Sequence, residues 1–389
     1  MPTKNEAIIK PELLVWAREE TGLSVEEAAK KISIKPERLQ ACEEGTARLT
    51  VNQLRSLSQA YKRPLAFFFL PQPPPKTVNL RDFRRLPDET SESESPTLRY
   101  EIRRAKYRRQ ISLNLYDELG EQPPQFTATT KLSANPENVA GRIRELLKIS
   151  QEEQYKLKTE YEALSRWRNA IEDCGIMVFQ ASKVERKEMR GFSITEPVLP
   201  VIVTNVKDVP QGRLFTMLHE LTHVMLRTGG LCTLDESQEI EAFCNKVAGA
   251  TLVPQEWLLN ETSVRERGRQ SEWDESVIRM LARRYGVSRE VIVRRLLIAG
   301  YATQGFYQRK REEYQQEFES RPKAEGGFAP PDVLAVSNAG RKFVQLVLDS
   351  YHRDKITTSD VSDYLEVKVR HFDNIEKAIR NPTVEMGVA

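Results

Sequence analysis

Apolar positions recur with a helical period along most of this chain, and the pattern is sharpest at residues 213–227, R-L-F-T-M-L-H-E-L-T-H-V-M-L-R. Leu214, Leu218, Leu221 and Met225 fall at i, i+4, i+7 and i+11, which predicts a helix with a buried apolar stripe. Upstream, residues 11–20, 24–32, 36–44 and 51–61 show the same period in short segments punctuated by Gly22, Gly45 and Pro64. Ser24 with Glu27 forms a capping box, and Thr50 is the expected N-cap of the fourth segment. Four short helices with tight turns suit a helix-turn-helix unit. Further helices are expected at 99–110, 136–147 and 154–174, with Gly175 as a stop, and at 237–252. Two more should flank Gly286-Val287-Ser288, with Ser288 as N-cap. A last helical unit covers 332–379, with Thr358 or Ser359 capping its S-D-V-S-D-Y-L-E-V stretch.

The period changes just ahead of the 213–227 helix. Residues 175–180, 191–194 and 198–205 are short β-rich runs bounded by Gly, Pro and Asn. They predict a small antiparallel sheet, with 198–205 as the candidate edge strand for an extended peptide. The fold class is therefore mainly α (α+β). A helix-turn-helix domain spans 1–70, and the P-Q-P-P-P stretch opens a linker at 71–98. A core with a helical arm spans 99–310, a second linker 311–331, and a small helical unit 332–389. D-F-R-R at 82–85 and a mobile acidic, Ser-rich loop at 88–96 fall in the first linker, and P-K-A-E-G-G-F-A-P-P at 322–331 closes the second.

The metal-binding chemistry sits on the sharpest helix. His219 and His223 are four residues apart, about 40° from each other around the axis. Two imidazoles on one face can hold one metal ion, and Glu220 between them can act on a water beside it, the H-E-x-x-H pattern of zinc proteases. A catalytic zinc takes three protein ligands and keeps one position open. The 237–252 helix offers Glu239 and Glu241. Glu241 shares a face with Asn245, Ala248 and Leu252, whereas Glu239 lies about 200° away, toward solvent. Glu241 is the third ligand expected, with Asn245 one turn on as the donor that orients it. Cys232, in the loop after Gly229-Gly230, and Cys244 are weaker metal candidates, and Cys244 reads as a small buried thiol. Zn2+ is the expected cofactor, although two His and a carboxylate suit Mn2+ and Fe2+ as well.

Charge and composition narrow the partners. The chain has 59 basic and 56 acidic residues, net +3, a balance that argues against a surface built throughout for nucleic acid. Residues 1–71 hold eleven bases and nine acids. In a recognition helix at 36–44, Lys35, Arg38 and Gln40 are the candidate DNA contacts, set beside Glu37, Glu43 and Glu44. A helical adaptor for a protein partner is the alternative role. Arg99, Arg103, Arg104, Lys106, Arg108 and Arg109 read as one solvated basic face of a long helix. Four scattered cysteines without a C-x-x-C pair, the absence of an apolar signal core and a longest apolar run of six residues predict a reduced, cytoplasmic protein with no membrane span.

Two resemblances gather these features. L-S-V-E-E-A-A at 23–29, E-E-G at 43–45 and T-V-N-Q-L at 50–54 resemble the phage-repressor-like (XRE-type) helix-turn-helix family. F-T-M-L-H-E-L-T-H at 215–223, E-A-F-C-N-K-V-A-G-A-T-L-V-P at 241–254, V-I-V-T-N before the helix and D-F-R after the first linker are similar to the ImmA/IrrE family of metallopeptidases. The family's helix often has a second Glu where this chain has Phe243. The resemblance implies zinc held by His219, His223 and Glu241, with Glu220 as catalytic base. It implies a protein substrate, a co-encoded helix-turn-helix repressor, whose cleavage releases stress-response or mobile-element genes. The competing expectation is a DNA-binding regulator or antitoxin-like protein whose peptidase fold senses metal or ligand without turnover.

Overall fold

The computed structural model describes residues 6–61, 63, 65–74, 95–227, 234–320 and 330–380. The expectations for 82–85, for most of 88–96, for Cys232 and for most of 322–331 lie outside these residues. The chain divides into two compact units, one of Met1–Leu80 with Leu86–Arg104 and one of Arg81–Arg85 with Ala105–Ala389.

In the first unit the helices are α1 (Pro11–Thr21), α2 (Val25–Lys31), α3 (Pro36–Glu43) and α4 (Val51–Ala60). Local chemistry fixes their ends. Gly22 adopts φ +77 and its N–H reaches the carbonyls of Arg18 and Glu19, closing α1. Ser24 with Glu27 and Thr50 with Gln53 each complete a reciprocal capping box. Leu13, Leu14, Ala17, Leu39, Leu54, Leu57, Tyr61 and Phe68 form the core.

The helix α5 (Pro96–Leu119) carries the basic run, which is not a solvated face. Arg99 and Arg103 donate to the last carbonyls of α1, at Glu19 and Glu20, at 2.8 and 3.3 Å. Arg104 pairs with Glu101 at 3.2 Å. In the second unit, Arg108 is buried and donates to the Asn338 carbonyl, and Arg109 donates to the carbonyls of Val198 and Leu199. Arg99, Arg103, Arg108 and Arg109 thus donate to backbone carbonyls rather than facing water as one charged stripe.

The second unit continues with α6 (Pro136–Leu147), α7 (Gln151–Lys156) and α8 (Glu160–Asp173). The single helix expected at 154–174 is thus two, because Ser150 and Thr159 each cap a new start. Gly175, at φ +85, ends α8 as expected. The sheet follows, with β1 (Met177–Ala181), β2 (Gly191–Ile194) and β3 (Val201–Asn205), then α9 (Pro210–Leu226) and α10 (Leu234–Leu252). After these come α11 (Gln255–Asn260), α12 (Thr262–Arg265), α13 (Glu275–Tyr285), α14 (Arg289–Ile298) and α15 (Gln304–Ser320). The C-terminal helices are α16 (Pro331–Ala339), α17 (Arg341–His352), α18 (Thr358–Leu365) and α19 (Phe372–Arg380). Thr357, not Thr358 or Ser359, caps α18, because its reciprocal partner is Asp360, three residues on.

The sheet corrects two expectations. Its order is β1-β3-β2, and only β2–β3 is antiparallel; β1–β3 is parallel. The strand expected at an edge, β3, is central. All five of its residues are buried, which fits a β-branched run without alternation. The edges are β1 and β2. Met177 N–H bonds to Pro200 O and Val206 N–H to Ala181 O, so the polar groups of Val178 and Gln180 point away from β3. That outer side of β1 is occupied. Arg168 donates to Val178 O at 2.8 Å, and Ser337 on α16 donates to Gln180 Oε1 at 3.0 Å. Gly340 passes so close that a Cβ there would lie 2.5 Å from Val178 O.

Candidate metal centre

Helix α9 is buried all round from Arg213 to Met225, so side chains of every azimuth must find partners. Pro210 starts it, and Asp208 Oδ1 accepts the Val209 N–H just before it. His219 and His223 project from one face with ring centroids 4.8 Å apart. Their Nε2 atoms approach to 3.1 Å, and Glu241 from α10 spans both, at 3.2 Å from His219 Nε2 and 3.0 Å from His223 Nε2. Glu239 is exposed and stands apart from this cluster.

The donor set suits a metal ion. Ligands about 2.0–2.1 Å from a tetrahedral zinc are ~3.4 Å from one another; here the two Nε2 atoms are 3.1 Å apart and each faces a different Glu241 oxygen, Oε2 at 3.2 Å and Oε1 at 3.0 Å. The Nδ1–H of His219 faces Asn245 Oδ1 at 3.1 Å, which fixes the tautomer with its Nε2 lone pair turned toward the cluster. Asn245 therefore meets His219, whereas the sequence predicts Glu241 as its partner. Cys244 is buried, as expected of a small thiol, but hydrogen-bonds His223.

Electrostatics bind the cluster together. Burial works against the charged form of His223, yet Cys244, Glu241 and Glu220 beside it raise its pKa well above the usual imidazole value. Burial first, and then the neighbouring Glu241 and Glu220, raise the Cys244 thiol above its usual value against the opposing pull of His223. Burial also pushes Glu241 upward, but bonds from His219 and His223 outweigh it and hold the carboxyl well below the usual range.

Glu220 is 1% exposed, and Ser193 on β2 donates to its Oε2 at 2.8 Å. Sequence reasoning missed Ser193. The only local signal was Gly191, two residues earlier on the same face, where a Cβ would lie 2.4 Å from Thr216 Cγ2 and 2.8 Å from Val203 O. The glycine lets β2 lie directly on α9 at the turn that carries Thr216 and Glu220.

The candidate DNA contacts belong to the first unit. Lys35, just before α3, and Arg38 and Gln40 on it are exposed. Gln40 donates to Glu44, and Arg38 to the Arg48 carbonyl. Glu43 is neutralised by Arg18 at 2.8 Å, which removes one of the three acids near that face. Among the described residues no helix is long and apolar enough to cross a membrane.

Comparison with known proteins agrees with both units. Residues 171–297, which carry the sheet, α9 and α10, match the family model of peptidase family M78, described as the IrrE N-terminal-like domain. Residues 14–68 match the helix-turn-helix family model. No curated protein matches the chain. The chain thus carries matches to an XRE-type helix-turn-helix domain and, further on, to an IrrE/ImmA-like domain of peptidase family M78.

Proposed function

We propose that this chain is a zinc-dependent endopeptidase that cleaves a helix-turn-helix transcriptional repressor and so derepresses stress-response or mobile-element genes. The observation that carries the reading is the meeting of three metal-type donors, His219, His223 and Glu241, within 4.8 Å of one another, with the buried Glu220 on the helix of the two histidines. His219, His223 and Glu241 would hold the ion. Bound there, it would supply Lewis acidity, polarising a peptide carbonyl and acidifying water. Glu220 then serves as the base that takes the proton of the attacking water and delivers it to the leaving amine.

The peptide backbone pairs with the outer edge of β2. Asn205 N–H bonds to Arg190 O, so the register turns the polar groups of Phe192 and Ile194 toward β3 and those of Gly191 and Ser193 outward. Among the described residues no strand pairs with that edge. Extended peptides bind such edges through main-chain hydrogen bonds. The helix-turn-helix unit recruits the substrate or DNA. The test is Glu220→Gln, which should fold and keep its metal yet lose cleavage of a repressor encoded beside this gene. Retained cleavage would sink the mechanism, and elemental analysis of the purified protein separates zinc from manganese and iron.

The exposed Lys35, Arg38 and Gln40 favour a second reading, a DNA-binding regulator or antitoxin-like protein whose peptidase fold senses metal or ligand without turnover. Gel-shift binding to its own promoter, with every neighbouring repressor left intact, would select that reading.

A further inference from the structure

We infer that Ser193 is a positioning residue for Glu220, and that it ties the orientation of the base to the strand on which the substrate backbone docks. The inference rests on the peptidase reading above. Ser193 Oγ lies 2.8 Å from Glu220 Oε2, with Ser193 3% and Glu220 1% exposed. A hydroxyl donating to one carboxylate oxygen fixes the rotation of the carboxyl plane, and so fixes the direction of the other oxygen's lone pairs. A general base must meet the proton it takes at hydrogen-bond distance and with the correct direction, so that rotation bears on turnover rather than on substrate affinity.

Ser193 can do this because of where β2 runs. Gly191 and Ser193 are two residues apart and share the face of the strand that meets α9. Thr216 and Glu220, the residues they meet, are one turn apart on α9. The absent side chain at 191 sets the approach, because a Cβ there would overlap Thr216 and the Val203 carbonyl. The same two residues send their backbone polar groups to the outer edge of the sheet. One short strand therefore carries a main-chain docking edge and, two atoms off its backbone, the hydroxyl that aims the base.

The experiment compares Ser193→Ala, Ser193→Thr, Glu220→Gln and the Ala/Gln double variant, each loaded with zinc and assayed on labelled casein. Ser193→Ala should keep its zinc and lower kcat about 10- to 100-fold, a share of the ~10²–10⁴-fold that a placed general base provides, with KM within about twofold. Ser193→Thr, which restores a hydroxyl, should recover most of the loss. In the Glu220→Gln background the serine change should add nothing, because both act through one carboxylate. Wild-type kcat in Ser193→Ala, or a further loss in the double variant, would overturn the inference. Undiminished turnover in Glu220→Gln alone would overturn the peptidase reading, and is seen before Ser193 is touched. A crystal structure of Ser193→Ala judges the positioning without any assay: a rotated Glu220 carboxyl upholds it, and an unmoved one defeats it.

Discussion

The two edges of the small sheet are treated in opposite ways. The outer side of β1 is closed by Arg168, Ser337 and the bare backbone of Gly340, and every partner is buried or half-buried. The outer side of β2 carries no strand among the described residues, and its inner face rests on the helix with the two histidines. Exposed strand edges invite unwanted pairing, so proteins cover those they do not use. With β1 covered from a segment some 160 residues away in sequence, the edge that carries no partner strand among the described residues is the one beside Glu220, and on the peptidase reading it would take the peptide. On that reading the C-terminal helix α16 would contribute by exclusion, through the contacts of Ser337 with Gln180 and Arg168.

The contrast makes predictions that differ in kind. The largest effect should come from the closed edge. Arg168→Ala removes the partner of buried Glu172, at 3.9 Å, and the donor to two carbonyls, so it should cost about 3–5 kcal/mol of stability. Chemical denaturation should show this while the metal content of the folded fraction stays unchanged; a loss of metal at unchanged stability would break the division between the edges. Next comes the open edge. Gly191→Ala should push β2 off α9 and lower kcat/KM by about 100-fold, since displacing a reacting group by ~1 Å has that order of effect. Its melting temperature should fall less than that of Arg168→Ala.

Smaller still, Asn245→Ala should weaken metal binding about 10- to 100-fold in a competition titration with a chelating dye, because His219 loses the partner of its Nδ1–H. Affinity equal to the wild type would remove Asn245 from the site. The smallest effect tests neither edge and serves as a control. Burial opposes ionisation of Glu275, but Arg289, Lys310 and Tyr314 bond it and hold its pKa at about 2, against an ordinary 4.5. A carboxyl depressed on folding stabilises at pH above its ordinary value and loses that contribution as pH falls toward about 2. Glu275→Gln should therefore flatten the acid side of the stability profile, read by thermal melts from pH 6 downward in steps of about one unit, and leave metal affinity alone.

What could be read from the sequence follows the range of the interactions. Helix caps at Ser24, Thr50 and Ser288 and the stop at Gly175 are settled within a few residues, and they were legible. So was the choice of Glu241 over Glu239 as the acid that meets the histidines, since helical phase alone separates the two. The sheet order was not. Three short runs in chain order suggest a meander, and only the unbroken burial of V-I-V-T-N hints that β3 lies in the middle. Asn245 was found but attached to the wrong neighbour, because phase on α10 shows which residues share its face and says nothing of the helix opposite. Ser193 to Glu220 and Ser337 to Gln180 are contacts across 27 and 157 residues, and one hydrogen bond between distant segments leaves no periodic trace.

The burial of α9 on all sides has a consequence for the life of the protein in a cell. Its two histidines project from a core element, so on the peptidase reading metal occupancy and folding would be linked. An ion that binds only the folded chain adds RT ln(1 + [ion]/Kd) to its stability, about 2.7 kcal/mol at a hundredfold excess over Kd. A chain deprived of metal would open more often and spend longer exposed to quality-control proteases, which turns a difference of 1–2 kcal/mol into a several-fold change in abundance. The metal supply would then set how much of the protein persists, as well as how active each copy is.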